Sequence, residues 1–252
     1  TQAKTLFPYT TLFRSKPIIT PRFVPSCTSE LMSGLGNLAQ AYNVPVQSHL
    51  SENHGEIDWV AALHPEAANY TDVYYEHHLM GKVPTVMAHC IHLSDVEMDR
   101  MAETQTMVSH CPYSNVNLSS GIAPIRKLFE RKIPIGLGSD ISGGHIVSMA
   151  KVLTEAIGLS KMKWVEVDQT YAPLTLSEAF YMATKGGGKF FGKVGSFEKG
   201  CELDALVIDD TTLFDPNERS LEERLERWLY VGDDRHIIER YVAGKVAPEP
   251  TN

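Results

Sequence analysis

Cysteine is scarce: Cys27, Cys90, Cys111 and Cys201 are the only four in 252 residues, and no two form a CxxC pair. That excludes a disulfide framework or a zinc knuckle and fits a reducing compartment. No apolar run approaches the roughly 20 residues that cross a bilayer. The N-terminus lacks the basic, apolar and small-residue order of a secretion signal, so a cytoplasmic chain with no membrane partner is expected. Basic residues are outnumbered, 23 against 31 acidic, for a net charge of −8, and none of them gather into a long run. That removes the electrostatic footprint of a nucleic-acid binder and leaves a small, neutral or weakly charged substrate as the easier partner. No GxGxxG follows an early strand, which argues against a dinucleotide fold. Internal repeats and low-complexity linkers are missing too.

The composition that remains, 43% hydrophobic and 21% charged, is that of a domain with a buried core. Five short apolar or β-branched runs are expected to be strands: 18–23, 44–49, 85–89, 107–110 and 133–140. Amphipathic stretches separate them. In 29–42, Leu31, Leu35, Leu38 and Ala39 recur at helical spacing, and in 94–103 Ser94 caps with Glu97 three residues on. A helix is expected over 146–159, and another starts at Thr175 with Glu178 as its box partner and ends near Gly186-Gly187-Gly188. Strand alternating with helix means parallel strands. The tail turns strand-like at 204–208 and 237–242, around a charged helical stretch at 221–225, and reads as a small appended β unit.

Four successive runs close on His49, His89, His110 and Asp140. Chemistry at the carboxy-terminal ends of several strands is the arrangement of a (β/α)8 barrel. His49 is followed by Glu52, which sets a carboxylate three residues past an imidazole where the chain leaves the strand. A lone histidine of this kind is more often a satisfied core residue; four strand ends in series favour a site. Imidazole and carboxylate are zinc donors, and a catalytic zinc keeps one position open.

The strings PRF (21–23), QSHLSEN (47–53), MAHC (87–90), SHCPYSN (109–115), GLGSD (136–140) and YVGDDR (230–235) resemble guanine deaminases of the amidohydrolase superfamily, in order and in spacing. SHCP and GSD alone would fit many relatives, triazine hydrolases and other deaminases included. The resemblance implies an α/β fold, a partial TIM-type (β/α)8 barrel with strands 4 to 8 over residues 17–190, and the remnant of a small β-sandwich subdomain over 191–252. It implies one Zn²⁺ held by His49 and Asp140, with Asp140 also activating water. His89 would hydrogen-bond water or substrate, and Glu52 would shuttle protons. Arg22 and Phe23 would hold guanine, a role that suits an Arg donor facing an O6/N7 edge and an aromatic face packing on a purine. His110 is expected behind the site, supporting it rather than binding metal. A homodimer is implied as well.

The chain departs from that pattern in one respect: no His-x-His occurs in it, although amidohydrolases of this kind carry such a pair on their first strand. Two ligands are therefore missing, and weak zinc binding with no activity is expected of this polypeptide alone. Thr5 to Ser15, TLFPYTTLFRS, looks like the translation of a sequencing-adapter oligonucleotide, so residues 1–16 are expected to be non-native and the chain a truncated fragment. Competing readings are a triazine hydrolase, a cytosine or nucleoside deaminase, or a non-catalytic chain that needs a partner.

Overall fold

The computed structural model describes residues 17–247, so the adapter-like segment lies outside the described residues. Four strands, β1 (Val46–Leu50), β2 (Thr85–His89), β3 (Met107–His110) and β4 (Ile135–Leu137), form one parallel sheet in the order β1-β2-β3-β4. Parallel neighbours need a crossover, and helices supply it. α1 (Ser29–Tyr42) precedes β1. α2 (His54–Leu63) and α3 (Tyr70–Glu76) join β1 to β2, α4 (Asp95–Thr104) joins β2 to β3, and α5 (Pro112–Asn117) and α6 (Ile125–Glu130) join β3 to β4. A doubly wound sheet reverses its strand order at a switch point. This one advances without reversal, as a barrel wall does.

Side chains alternate across each strand. Val46, Leu50, Met87, Val108 and Ile135 are buried in the core beneath the helices. Gln47, His49, Val86, Ala88 and Ser109 line a cavity of about 1500 Å³ on the opposite, inner face. The helices begin where short polar side chains satisfy free backbone donors. Thr28, Asn53 and Asn69 accept from the third residue of α1, α2 and α3, and Ser94 and Glu97 close the expected capping box of α4.

Three strand expectations were too long. Of 18–23 only Ile19 pairs, bridging to Val46. Pro21 has no N–H for a ladder, and the chain enters a 3₁₀ turn at Val24–Ser26. Pro45 and Pro134 similarly hold back the starts of β1 and β4. The helix expected over 146–159 is α7 (Met149–Glu166), shifted past the Gly143-Gly144 turn. α8 (Leu176–Tyr181) is boxed by Thr175 and Glu178 and runs into a π-helical turn, Met182–Gly186. The tail forms an antiparallel sheet of β5 (Ala205–Ile208), β6 (Ile237–Val242) and β7 (Lys245–Val246). Its helix, α9 (Leu221–Val231), outruns the expected 221–225, and Trp228 and Leu229 join the main core. The Lys151 ammonium on α7 ties this helix down by donating to the carbonyls of Leu229 (3.3 Å) and Tyr230 (2.8 Å).

β4 meets the π-helical turn backbone to backbone. A Cβ added at Gly136 would lie 2.9 Å from the Gly187 Cα, and one at Gly186 would lie 2.6 Å from the Ile135 carbonyl oxygen. Neither neighbour is a flexible side-chain tip that can move aside. Gly136→Ala should therefore destabilise the fold by about 1–3 kcal/mol, as overpacking does; an unchanged urea midpoint would show the contact to be slack.

Candidate active site

Because β1 to β4 run parallel and in register, their carboxy-terminal ends share one edge. Leu50 pairs with His89, Ala88 with Ser109, and His110 with Leu137. The backbone turns sharply at that edge. Ser51 (φ 49°), His89 (φ 68°), Cys90 (φ 52°) and Asp140 (φ 43°) all take the left-handed conformation, which is uncommon outside glycine and recurs where function over-determines local geometry.

His49 donates from ring Nδ1 to the Arg22 carbonyl, which also accepts from the His49 backbone amide. A carbonyl can only accept, so Nδ1 carries the proton and Nε2 keeps its lone pair. This is the support a metal-binding imidazole usually has. The His89 ring stacks on that of His49, with centroids 5.3 Å apart. His89 Nδ1 faces the Asn115 side-chain oxygen at 2.8 Å, leaving Nε2 3.6 Å from Glu52 Oε2. The Ser120 hydroxyl donates to the other Glu52 oxygen at 2.9 Å. Beneath, the Glu52 backbone N–H donates to Glu56 Oε2 (2.9 Å), whose second oxygen accepts from the Tyr70 hydroxyl (2.7 Å).

Asp140 follows β4 on the Gly143-Gly144 turn, where the Gly144 amide donates to its carbonyl. Its carboxylate packs so closely on the turn that a Cβ at Gly143 would lie 2.7 Å from Oδ2. Asp140 and His49 both line the large cavity. In kind, an imidazole with a free Nε2 and a carboxylate suit zinc. In number they fall short, for no group of three His, Cys, Asp or Glu among the described residues is disposed to hold a metal ion.

Arg22 and Phe23 are not among the residues lining the large cavity; Arg22 is exposed and Phe23 half-buried just before the 3₁₀ turn. The guanidinium lies 5.3 Å over the Phe23 ring, and Trp59 meets that ring edge-on at 6.1 Å. The structure thus brings Glu52 to His89 and His49 to Arg22, and sets Asp140 with His49 on one cavity wall. His110 is buried behind this wall, with Nδ1 unpartnered. Burial, with the neighbouring His89, drives its pKa down to about 3. Cys90 and Cys111 are buried thiols; burial pushes Cys111 up to about 12 and Cys90 well above its ordinary value, so both pack rather than react.

Two residues with direct contacts here were given no role from sequence. Asn115 lies inside the SHCPYSN string and could have been suspected; its Nδ2 is, like Ser51 Oγ, buried without a partner. Ser120 carried no signal, since 68 residues separate it from Glu52. His92 belongs to the same corner, with ring Nε2 donating to the Ser120 carbonyl at 2.8 Å.

The half-wall of parallel strands with helices outside is part of a (β/α) barrel scaffold. The amidohydrolase family model matches residues 9–247, and the chain belongs to the amidohydrolase family. A guanine deaminase of Dictyostelium discoideum is 43% identical over 91% of this chain and 52% of its own length. The crystal structure of a guanine deaminase from C. acetobutylicum, with guanine bound in its active site, is 55% identical with a TM-score of 0.89, over 92% of this chain and 55% of that one. The E. coli guanine deaminase structure is 36% identical, with a TM-score of 0.87, over 99% and 59%. The chain thus spans about half the length of the curated relatives it matches. Among the described residues no helix is long and apolar enough to cross a membrane.

His110 gives a pH signature. It is neutral in the fold down to about pH 3, whereas in the unfolded chain it takes a proton below about 6.5. The unfolded state therefore binds more protons between those values, and stability is lost as pH falls from about 6.5 towards 3, by at most about 1.4 kcal/mol per unit for one site. His110→Gln should flatten that acid limb by about one proton; an identical slope in both proteins would rule the assignment out.

Proposed function

We propose that this chain carries the proton-transfer half of a guanine deaminase site, which once completed by the missing metal ligands hydrolyses guanine to xanthine and ammonia, and that this polypeptide alone is inactive. The Glu52 carboxylate carries the reading: it is held between His89 and Ser120 at the strand edge, and the His89 ring stacks on that of His49. Similarity to the Dictyostelium, C. acetobutylicum and E. coli enzymes supports the choice of substrate.

In this reading Glu52 takes a proton from the attacking water and delivers it to a ring nitrogen, then to the departing amine. Ser120 holds one carboxylate oxygen so that the other stays available. His89, fixed through Nδ1 by Asn115, presents Nε2 to water or substrate. Arg22 and Phe23 hold the purine, and His110 supports His89 from behind. In the completed site His49 and Asp140 would be two of the zinc ligands, and the metal would lower the pKa of water from about 15.7 towards 7. A cytoplasmic homodimer is part of the same reading, as is a division into a barrel portion over 17–190 and a small β portion over 191–252.

Two ligands do not complete a catalytic zinc site. The purified chain should accordingly retain zinc well below one equivalent by elemental analysis and form no xanthine above background; tight stoichiometric zinc would contradict this. Joined to an HxH-bearing strand that completes the site, it should deaminate guanine, and Glu52→Gln should cost about 10²–10⁴-fold in kcat with zinc retained, the usual worth of a positioned acid-base group. Turnover of a triazine, cytosine or a nucleoside in preference to guanine would replace the proposed substrate.

A further inference from the structure

A second cavity, of about 170 Å³, lies between the start of α6 and the last turns of α7, closed by the loop that leads to α8. An engineered apolar cavity of roughly 150 Å³ takes benzene, so the space suits a single six-membered ring rather than a drug-sized molecule. Ile125 and Leu174 floor it, and Trp164 and Tyr171 add aromatic surface.

Its charges are unbalanced. Arg126, at one edge, is fully engaged, with both terminal nitrogens on the Glu178 carboxylate and further bonds to the Ala172 and Pro173 carbonyls. Lys163 and Lys127 are not so engaged. The Lys163 ammonium donates to the Ile122 carbonyl at 2.6 Å and keeps two further N–H groups, and the Lys127 ammonium lies 5.3 Å over the Tyr171 ring. Neither makes an ion pair with a carboxylate among the described residues. Asp168 also lines the cavity and interacts with both ammonium groups while accepting from the Thr170 amide, so two cations face one carboxylate and one positive charge stays uncompensated. Burial, then the like charge of Lys127, lowers the Lys163 pKa, with Asp168 partly opposing them.

We propose that this cavity is a binding site for a small planar aromatic carboxylate, with the ring between the apolar walls and the carboxylate on Lys163 and Lys127. The apolar lining requires a body that a bare inorganic anion lacks, and two point donors match one carboxylate. Neither Glu52 nor His89 lines this cavity, and binding there can be read without the chain's activity.

Tryptophan fluorescence of the purified chain, with Trp164→Phe to assign the signal, tests it. Sodium benzoate should saturate the signal, and neutral benzamide, of the same shape, should bind about tenfold or more weakly, as expected for loss of a charge-assisted bond. Lys163→Met should cost about the same factor, while Lys163→Arg, which keeps the charge, should restore most of the affinity. Equal binding of benzamide and benzoate would overturn the proposal by making the pocket merely apolar. Inorganic phosphate displacing benzoate at equal concentration would overturn it by making the site a general anion site. So would undiminished binding by Lys163→Met, or the lack of any saturable response confirmed by saturation-transfer NMR.

Discussion

The in-register parallel pairing of β1 to β4 is the constraint from which the rest of the structure follows. Parallel strands that start level finish level, and so His49, His89, His110 and Asp140, spread over ninety-odd residues of chain by their numbers, arrive at one edge. The ladder also fixes which side chains can face the cavity, since a one-residue slip would send each to the other face. The same pairing forces a helix between successive strands, and those helices bury Leu50, Met87 and Ile135 on the outer side while leaving the inner side open.

At the edge the ladder stops and local chemistry takes over. Three histidine rings sit close together there without sharing an environment. His49 is fixed by a backbone carbonyl, His89 by a side-chain amide, and His110 by nothing at Nδ1, so that burial and the neighbouring His89 govern it. Orphan polar atoms in a core are costly, and they collect where a fold serves something other than its own stability. Ser51 Oγ, Asn115 Nδ2 and His110 Nδ1 are of that kind.

Much of this was legible in the sequence because the pattern there is periodic. Strands ending in His49, His89 and His110 announced themselves by β-branched residues before a polar terminus, and Ser94, Thr175 and their glutamate partners marked helix starts that the capping geometry bears out. Strand length was less legible, since Pro21, Pro45 and Pro134 shorten ladders whose apolar content alone suggested more. The supports of the site were least legible. Ser120 meets Glu52 only because two loops from different strands fold over the same edge, and no spacing rule encodes that meeting. Asp140 and Glu52 stood out by residue type; whether a carboxylate is gripped by a hydroxyl or packed on a glycine turn is a matter of three dimensions.

Ser120 is also a junction. Its amide donates to the Asn115 carbonyl, its own carbonyl receives the His92 ring and its hydroxyl holds Glu52, so three loops leaving three strands are pinned through one small residue. Such loops do not breathe one by one. A change at any one of them is therefore passed through Ser120 to the other two.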